Sequence, residues 1–149
     1  KEGRGTMFTD AVLTALNILD NNNKGFFLLV ADVFADRASH NGDAELVALE
    51  TIDLDKVIGK ALEFAQMDGN TVVIVTGGPE ASGMTLTGGN FQNGTFEAKW
   101  ANPGMIHTGT MIPVFAYGPG SDQFKGIQDN TKIFQKMMEL LKIAESEQE

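Results

Sequence analysis

The sequence predicts an α/β domain: three α/β/α layers around a mainly parallel sheet, with a small antiparallel excursion. Three observations predict it. Three apolar runs lack alternation, namely Phe26-Phe27-Leu28-Leu29-Val30, Val72-Val73-Ile74-Val75 and Val114-Phe115-Ala116-Tyr117, as strands covered on both faces do. A long helical pattern separates the first two, giving a strand–helix–strand unit. The chain has 149 residues, 42% of them hydrophobic and 21% charged, which suits one domain with a real core, so 1–149 reads as a single α/β domain.

The elements follow in order. Phe8, Ala11, Val12, Ala15, Leu16 and Leu19 recur at helical spacing, so residues 7–19 form a helix that Thr6 or Thr9 can cap. The Asn21-Asn22-Asn23-Lys24-Gly25 stretch is a loop, and the first apolar run follows it. Residues 43–67 carry a helical stripe of Leu54, Val57, Ile58, Ala61 and Ala65, ended by Gly69 in a left-handed cap. The second run comes next. The segments 84–87 and 95–100 alternate better and are joined through Asn93-Gly94, as in a hairpin. After the third run, residues 130–144 form a last helix capped by Asp129 or Asn130, with Ile133, Met137, Leu140 and Leu141 inward. Residues 145–149 read as a frayed acidic tail.

Bulk properties exclude several functions. A net charge of -9 argues against nucleic acid as a partner. It also repels anionic substrates unless a bound cation reverses the local sign. No apolar run approaches the ~20 residues of a membrane span. With no cysteine, any metal must be held by oxygen and imidazole. The stretch after Lys1 has no apolar core of a signal peptide, as a mature or excised segment also would not.

The chain has two histidines, His40 and His107. Asp36 and His40 lie just beyond the first run, where ligands gather at the carboxyl ends of parallel strands. His107 reaches them only if residues 102–110 fold back over that edge. Two imidazoles and a carboxylate form a recurring zinc set with an open position. Spacing alone favours two unrelated loop histidines. The Gly-rich stretch 76–83 lacks a Walker ending and a following helix, so it reads as a turn. Ser39 and Ser82 lie in no nucleophile motif, and no catalytic residue is assigned.

Five segments, spread over residues 24–120, carry a resemblance. They are Lys24-Gly-Phe-Phe-Leu-Leu-Val30, Ala35-Asp-Arg-Ala-Ser-His40, Asp68-Gly-Asn-Thr-Val-Val-Ile-Val-Thr76, Met84-Thr-Leu-Thr-Gly-Gly89, and His107-Thr-Gly109 with Pro113-Val-Phe-Ala-Tyr-Gly-Pro-Gly120. In order and spacing the chain resembles the carboxy-terminal half of bacterial alkaline phosphatases from about Met7 to Leu141. The resemblance implies that fold and a family reaction of metal-dependent phosphate monoester hydrolysis at two zinc ions and a magnesium. It implies one surviving zinc site, with Asp36, His40 and His107 as ligands. It also implies losses. Ala31 stands where the family's magnesium-binding Glu is expected, and Gly78 and Pro79 stand where the second zinc's Asp and His are expected. The serine nucleophile, its neighbouring Asp and the phosphate-binding Arg belong to the family's amino-terminal half, which these residues do not include. The expectation is therefore a domain inactive by itself, or else a piece of a phosphomonoesterase that needs that half. A phosphate monoester substrate, a periplasmic or secreted location, and a homodimer or association through an exposed sheet edge complete what the resemblance implies.

Overall fold

A computed structural model of the chain describes residues 4–102, 104 and 106–142. In order, the elements are α1 (Met7–Leu19), α2 (Phe34–His40), α3 (Ala44–Asp68), β1 (Val73–Thr76), β2 (Glu80–Ala81), β3 (Met84–Asn90), β4 (Thr95–Trp100), β5 (His107–Thr108), β6 (Val114–Tyr117), a 3-10 turn at Ser121–Phe124, and α4 (Thr131–Leu140). They divide into two compact units, Lys1–Lys60 with Gly78–Ile112, and Ala61–Gly77 with Pro113–Glu149.

In the first unit α1 buries Val12 and Leu16, two members of its expected stripe. Thr6 occupies the N-cap but makes no side-chain cap bond. Its hydroxyl donates instead to Asp10 Oδ2 at 2.7 Å. Arg4 is the centre of a charge cluster that the periodicity did not reveal. Its guanidinium lies 2.7 Å from Asp53, 2.6 Å from Glu50 and 3.6 Å from Asp32, over the ring of Phe8 at 4.4 Å. Burial works against that charge, but the Asp53 hydrogen bond and the carboxylates of Glu50 and Asp32 outweigh it and raise the Arg4 pKa. The cluster ties the residues before α1 to the approach to α2 and to the first half of α3.

Helix α2 was not expected. Asp32 Oδ1 accepts the Phe34 N–H at 3.1 Å and starts it. Ala38, Ser39 and His40 are its buried face. Asp43 then starts α3 by accepting the Leu46 N–H at 3.0 Å, three residues on, as an N-cap does. Val57 and Ala65, both in the expected stripe, are the buried hydrophobic residues of α3. In the second unit α3 ends as expected, with Gly69 at φ 72° and its N–H on the Ala65 carbonyl at 2.9 Å.

The α/β class stands, but the strand pairing differs from a mainly parallel sheet. The described strands form three two-stranded sheets, β1 with β6, β2 with β5, and β3 with β4, all antiparallel. The β3/β4 pair is the expected hairpin, with a register shift between Leu86 and Gly88. The first apolar run, 26–30, belongs to none of the six strands. Its exposure alternates, with Phe27 at 57% and Leu29 at 77%, so one face is open and it is no strand covered on both faces. An apolar run reports how much cover a segment wants, and says nothing about the direction of its partner.

In the second unit β6 likewise alternates, with Phe115 and Tyr117 exposed. Phe124 is buried beneath the Lys136 ammonium. Asp129 Oδ1 accepts both the N–H and the hydroxyl of Thr131 at the start of α4. Ile133, Met137 and Leu140 are half-buried, whereas Leu141, expected inward, is exposed. The expected end of this helix beyond Lys142 and the acidic tail 145–149 lie outside the described residues. Among the described residues no helix is long and apolar enough to cross a membrane.

Candidate metal centre

The first unit brings the three expected site residues together. Asp36 and His40 are four apart on α2, so they share one helix face, and His40 Nε2 lies 3.5 Å from Asp36 Oδ1. His107 arrives through β5, where it pairs with Ala81 of β2. Helix α2 is in turn fastened to β2, because the Ser39 hydroxyl donates to the Ala81 carbonyl at 2.8 Å. Trp100 Nε1 of β4 donates to the same hydroxyl oxygen at 3.2 Å. The site therefore stands on α2, β2 and β5, and the segment that carries His107 returns to it at Gly104 and at residues 106–108, as His107 required. One ligand atom from each of Asp36, His40 and His107 lies within 4.8 Å of the others. The two imidazole rings meet edge to face, with centroids 4.9 Å apart at 87°.

Hydrogen bonding fixes the tautomer of each ring. His40 Nδ1 is 2.7 Å from the Gly104 carbonyl oxygen, and His107 Nδ1 is 3.1 Å from the Glu80 carbonyl oxygen. A carbonyl only accepts, so both Nδ1 atoms carry the proton in the neutral rings. Each Nε2 is left with its lone pair. This is the second-layer arrangement that orients ligating histidines in metal sites. Gly104 sits at φ 124°, in the region that favours glycine. His40 is buried, whereas the Asp36 side chain keeps 46% of its surface exposed and His107 is also exposed. The cluster is anchored on one side and open to solvent on the other.

Glu80 organises the β2/β5 edge. Its carboxylate accepts the Gly83 N–H at 2.8 Å and the Thr108 hydroxyl. The Thr108 bond is the main reason its pKa is lowered. Sequence reasoning saw Glu80 only inside a Gly-rich turn. The Gly104 and Glu80 carbonyls had no signal to find, because every residue has one. The stretch 76–83 is a connection holding the two-residue strand β2. Arg37 is on α2 and is exposed.

Comparison with known proteins gives one answer. The alkaline phosphatase family model matches residues 6–103 and 89–143. The chain is 32% identical over 137 residues to the alkaline phosphatase of Escherichia fergusonii, covering 83% of this chain and 29% of that protein. It is 34% identical over 143 residues to alkaline phosphatase H of Pseudomonas aeruginosa, covering 80% of this chain and 28% of that protein. The solved alkaline phosphatase of the Antarctic bacterium TAB5 superposes with a TM-score of 0.84 at 38% identity, covering 94% of this chain and 42% of the other. The chain thus spans less than a third of the length of those two relatives.

Proposed function

Because the chain belongs to the alkaline phosphatase family, we propose that Asp36, His40 and His107 hold one zinc ion and that the 149 residues do not hydrolyse phosphate monoesters by themselves. The observation that carries the zinc reading is the convergence of two imidazoles and a carboxylate, with one ligand atom of each within 4.8 Å of the others. Tetrahedral zinc with bonds near 2.1 Å requires neighbouring donor atoms about 3.4 Å apart. The 3.5 Å between His40 Nε2 and Asp36 Oδ1 fits that separation. Zinc held there would supply a Lewis acid for a phosphoryl oxygen and a positive point on an acidic protein. Asp36 would neutralise half of its charge, and the open side would leave the fourth position to water or phosphate.

The ligand inventory supports inactivity. Gly78 and Pro79 offer no side-chain donor where a second metal would need one. Ala31 offers none where the family's magnesium ligand is expected. The family match, over residues 6–143, runs through both compact units, which supports reading 1–149 as one α/β domain. Likeness to the bacterial alkaline phosphatases supports phosphate monoesters as the substrate class of the whole protein and a periplasmic or secreted location.

Metal analysis of protein purified without chelator should find close to one zinc per chain and no magnesium. His40→Ala and His107→Ala should abolish uptake. Undiminished zinc in both variants would refute the ligand assignment. Release of phosphate from an aryl phosphate should be undetectable, and turnover proportional to protein concentration would overturn the inactive reading. The short span relative to the relatives favours one further reading, a piece of an active phosphomonoesterase. Activity appearing on addition of a segment with the family's Asp-Ser-Ala nucleophile would establish it.

A further inference from the structure

Ser82 is the feature that this function leaves unused. It is fully buried, at 0% exposure, in the turn between β2 and β3. Its φ is 64°, a conformation that a residue with a side chain adopts only at a cost. The backbone is held there from both sides. Its N–H donates to the Ile106 carbonyl at 2.8 Å, and its carbonyl accepts the Asn102 N–H at 3.2 Å. Its hydroxyl points at the metal cluster. Ser82 Oγ is 2.7 Å from the Gly104 carbonyl oxygen and 3.1 Å from His40 Nδ1.

We infer that Ser82 is a positioning residue for His40, its hydroxyl locking the ring so that Nε2 faces Asp36 and His107. This deepens the zinc reading and rests on it for its metal arm. One proton arrangement satisfies the three groups. The Gly104 carbonyl cannot donate, so at 2.7 Å it must receive the Nδ1–H. The Ser82 O–H donates to the second lone pair of the same carbonyl. A Ser82 lone pair is then left facing Nδ1–H, which sits between two acceptors. The opposite tautomer would put a bare Nδ1 against two oxygens, with only the hydroxyl proton to separate them. The same arrangement removes Ser82 as a nucleophile. Its oxygen is inaccessible, and the nitrogen beside it already holds a proton and cannot take another. Ser39, the other buried serine among the described residues, bonds Ala81 and Trp100 and fastens the helix, whereas Ser82 bonds the ring.

Two variants separate the hydroxyl from the space it fills. Ser82→Gly relieves the backbone at φ 64° and removes the hydroxyl. Ser82→Ala removes the hydroxyl and leaves the backbone cost in place. Loss of a partner that orients a metal-ligating histidine weakens affinity about ten- to a hundredfold. Both variants should raise the zinc Kd by that factor, measured by competition with a chromophoric chelator. The melting temperature of the metal-free protein should rise or hold in Ser82→Gly. Nitrogen NMR of the metal-free protein should show His40 as the Nδ1–H tautomer in the parent and in both variants, because the Gly104 carbonyl still receives that proton, but the Nδ1–H should exchange faster with water in the variants, where the ring has lost its second acceptor. An unchanged Nδ1–H exchange rate in the variants overturns the inference, as does an Nε2–H ring in the parent or an unchanged zinc Kd. Should the parent take up no zinc, the proposed function fails while the exchange measurement still decides the role of Ser82.

Discussion

Both carboxylate oxygens of Glu80 accept hydrogen bonds, and its carbonyl receives the His107 Nδ1–H. The Thr108 hydroxyl first, and the Gly83 N–H after it, hold its carboxyl below the ordinary value of 4.5. A carboxyl depressed on folding contributes stability that is complete above its unfolded value and is lost as pH falls through the folded one. The β2/β5 edge should therefore weaken below about pH 4.5, the ordinary value of this group. Glu80→Gln should cause a small loss in melting temperature at pH 7 and a shallower fall on acidification. Melting curves from pH 3 to 7 check this, and parallel curves for the two proteins would remove Glu80 from the account. At this scale the sequence was legible where the chemistry sits on side chains. Asp36, His40 and His107 were named through the family resemblance, while spacing alone favoured two unrelated histidines, and the structure brings the three side chains together. The supporting layer was illegible, since Glu80 and Gly104 act on the histidines through carbonyl groups that every residue shares.

At the scale of elements, long periodic segments were legible and short ones were not. Helix α1 has the expected bounds, and α3 differs from expectation by one residue at each end. Helix α2 has seven residues, too few to show a stripe, so Asp36 and His40 read as loop residues when they are one turn apart on a helix. The β2/β5 pair is two residues long on each side, below any pattern that alternation can register. Asp43 lies at the joint between α2 and α3. Its carboxylate caps α3, and its own N–H donates to the Ala38 carbonyl at 2.9 Å. Asp43→Ala should cost about 1 kcal/mol, the usual loss for an acidic N-cap. For a chain of this size that is a fall of about 2–8 °C in melting temperature, readable by circular dichroism. A melting temperature within error of the parent would show that the cap contributes nothing.

Over the whole molecule, charge and apolar exposure oppose one another. A net charge of -9 keeps copies apart at low salt. Phe27 and Leu29 in the first unit, and Phe115 in the second, expose more than half of their surfaces. Each described sheet has only two strands, so every strand leaves an edge able to accept another. Self-association should therefore increase with salt, as screening removes the repulsion and leaves the apolar contacts. Sedimentation velocity at about 0.05 and 0.5 M salt, where the screening length falls from roughly 14 to 4 Å, should show larger species at the higher value. A monomer at both would dismiss the edges as contacts. The antiparallel pairing of the described strands, where a mainly parallel sheet was expected, was illegible for a related reason, because an apolar strand does not state what covers it. One bond described above also gives this molecule an optical handle. Trp100 is the chain's single tryptophan, and its indole N–H rests on Ser39, the residue beside His40. Its emission spectrum therefore watches the foundation of the metal cluster from one fixed position, so the seating of a cation can be followed in the native chain without a label.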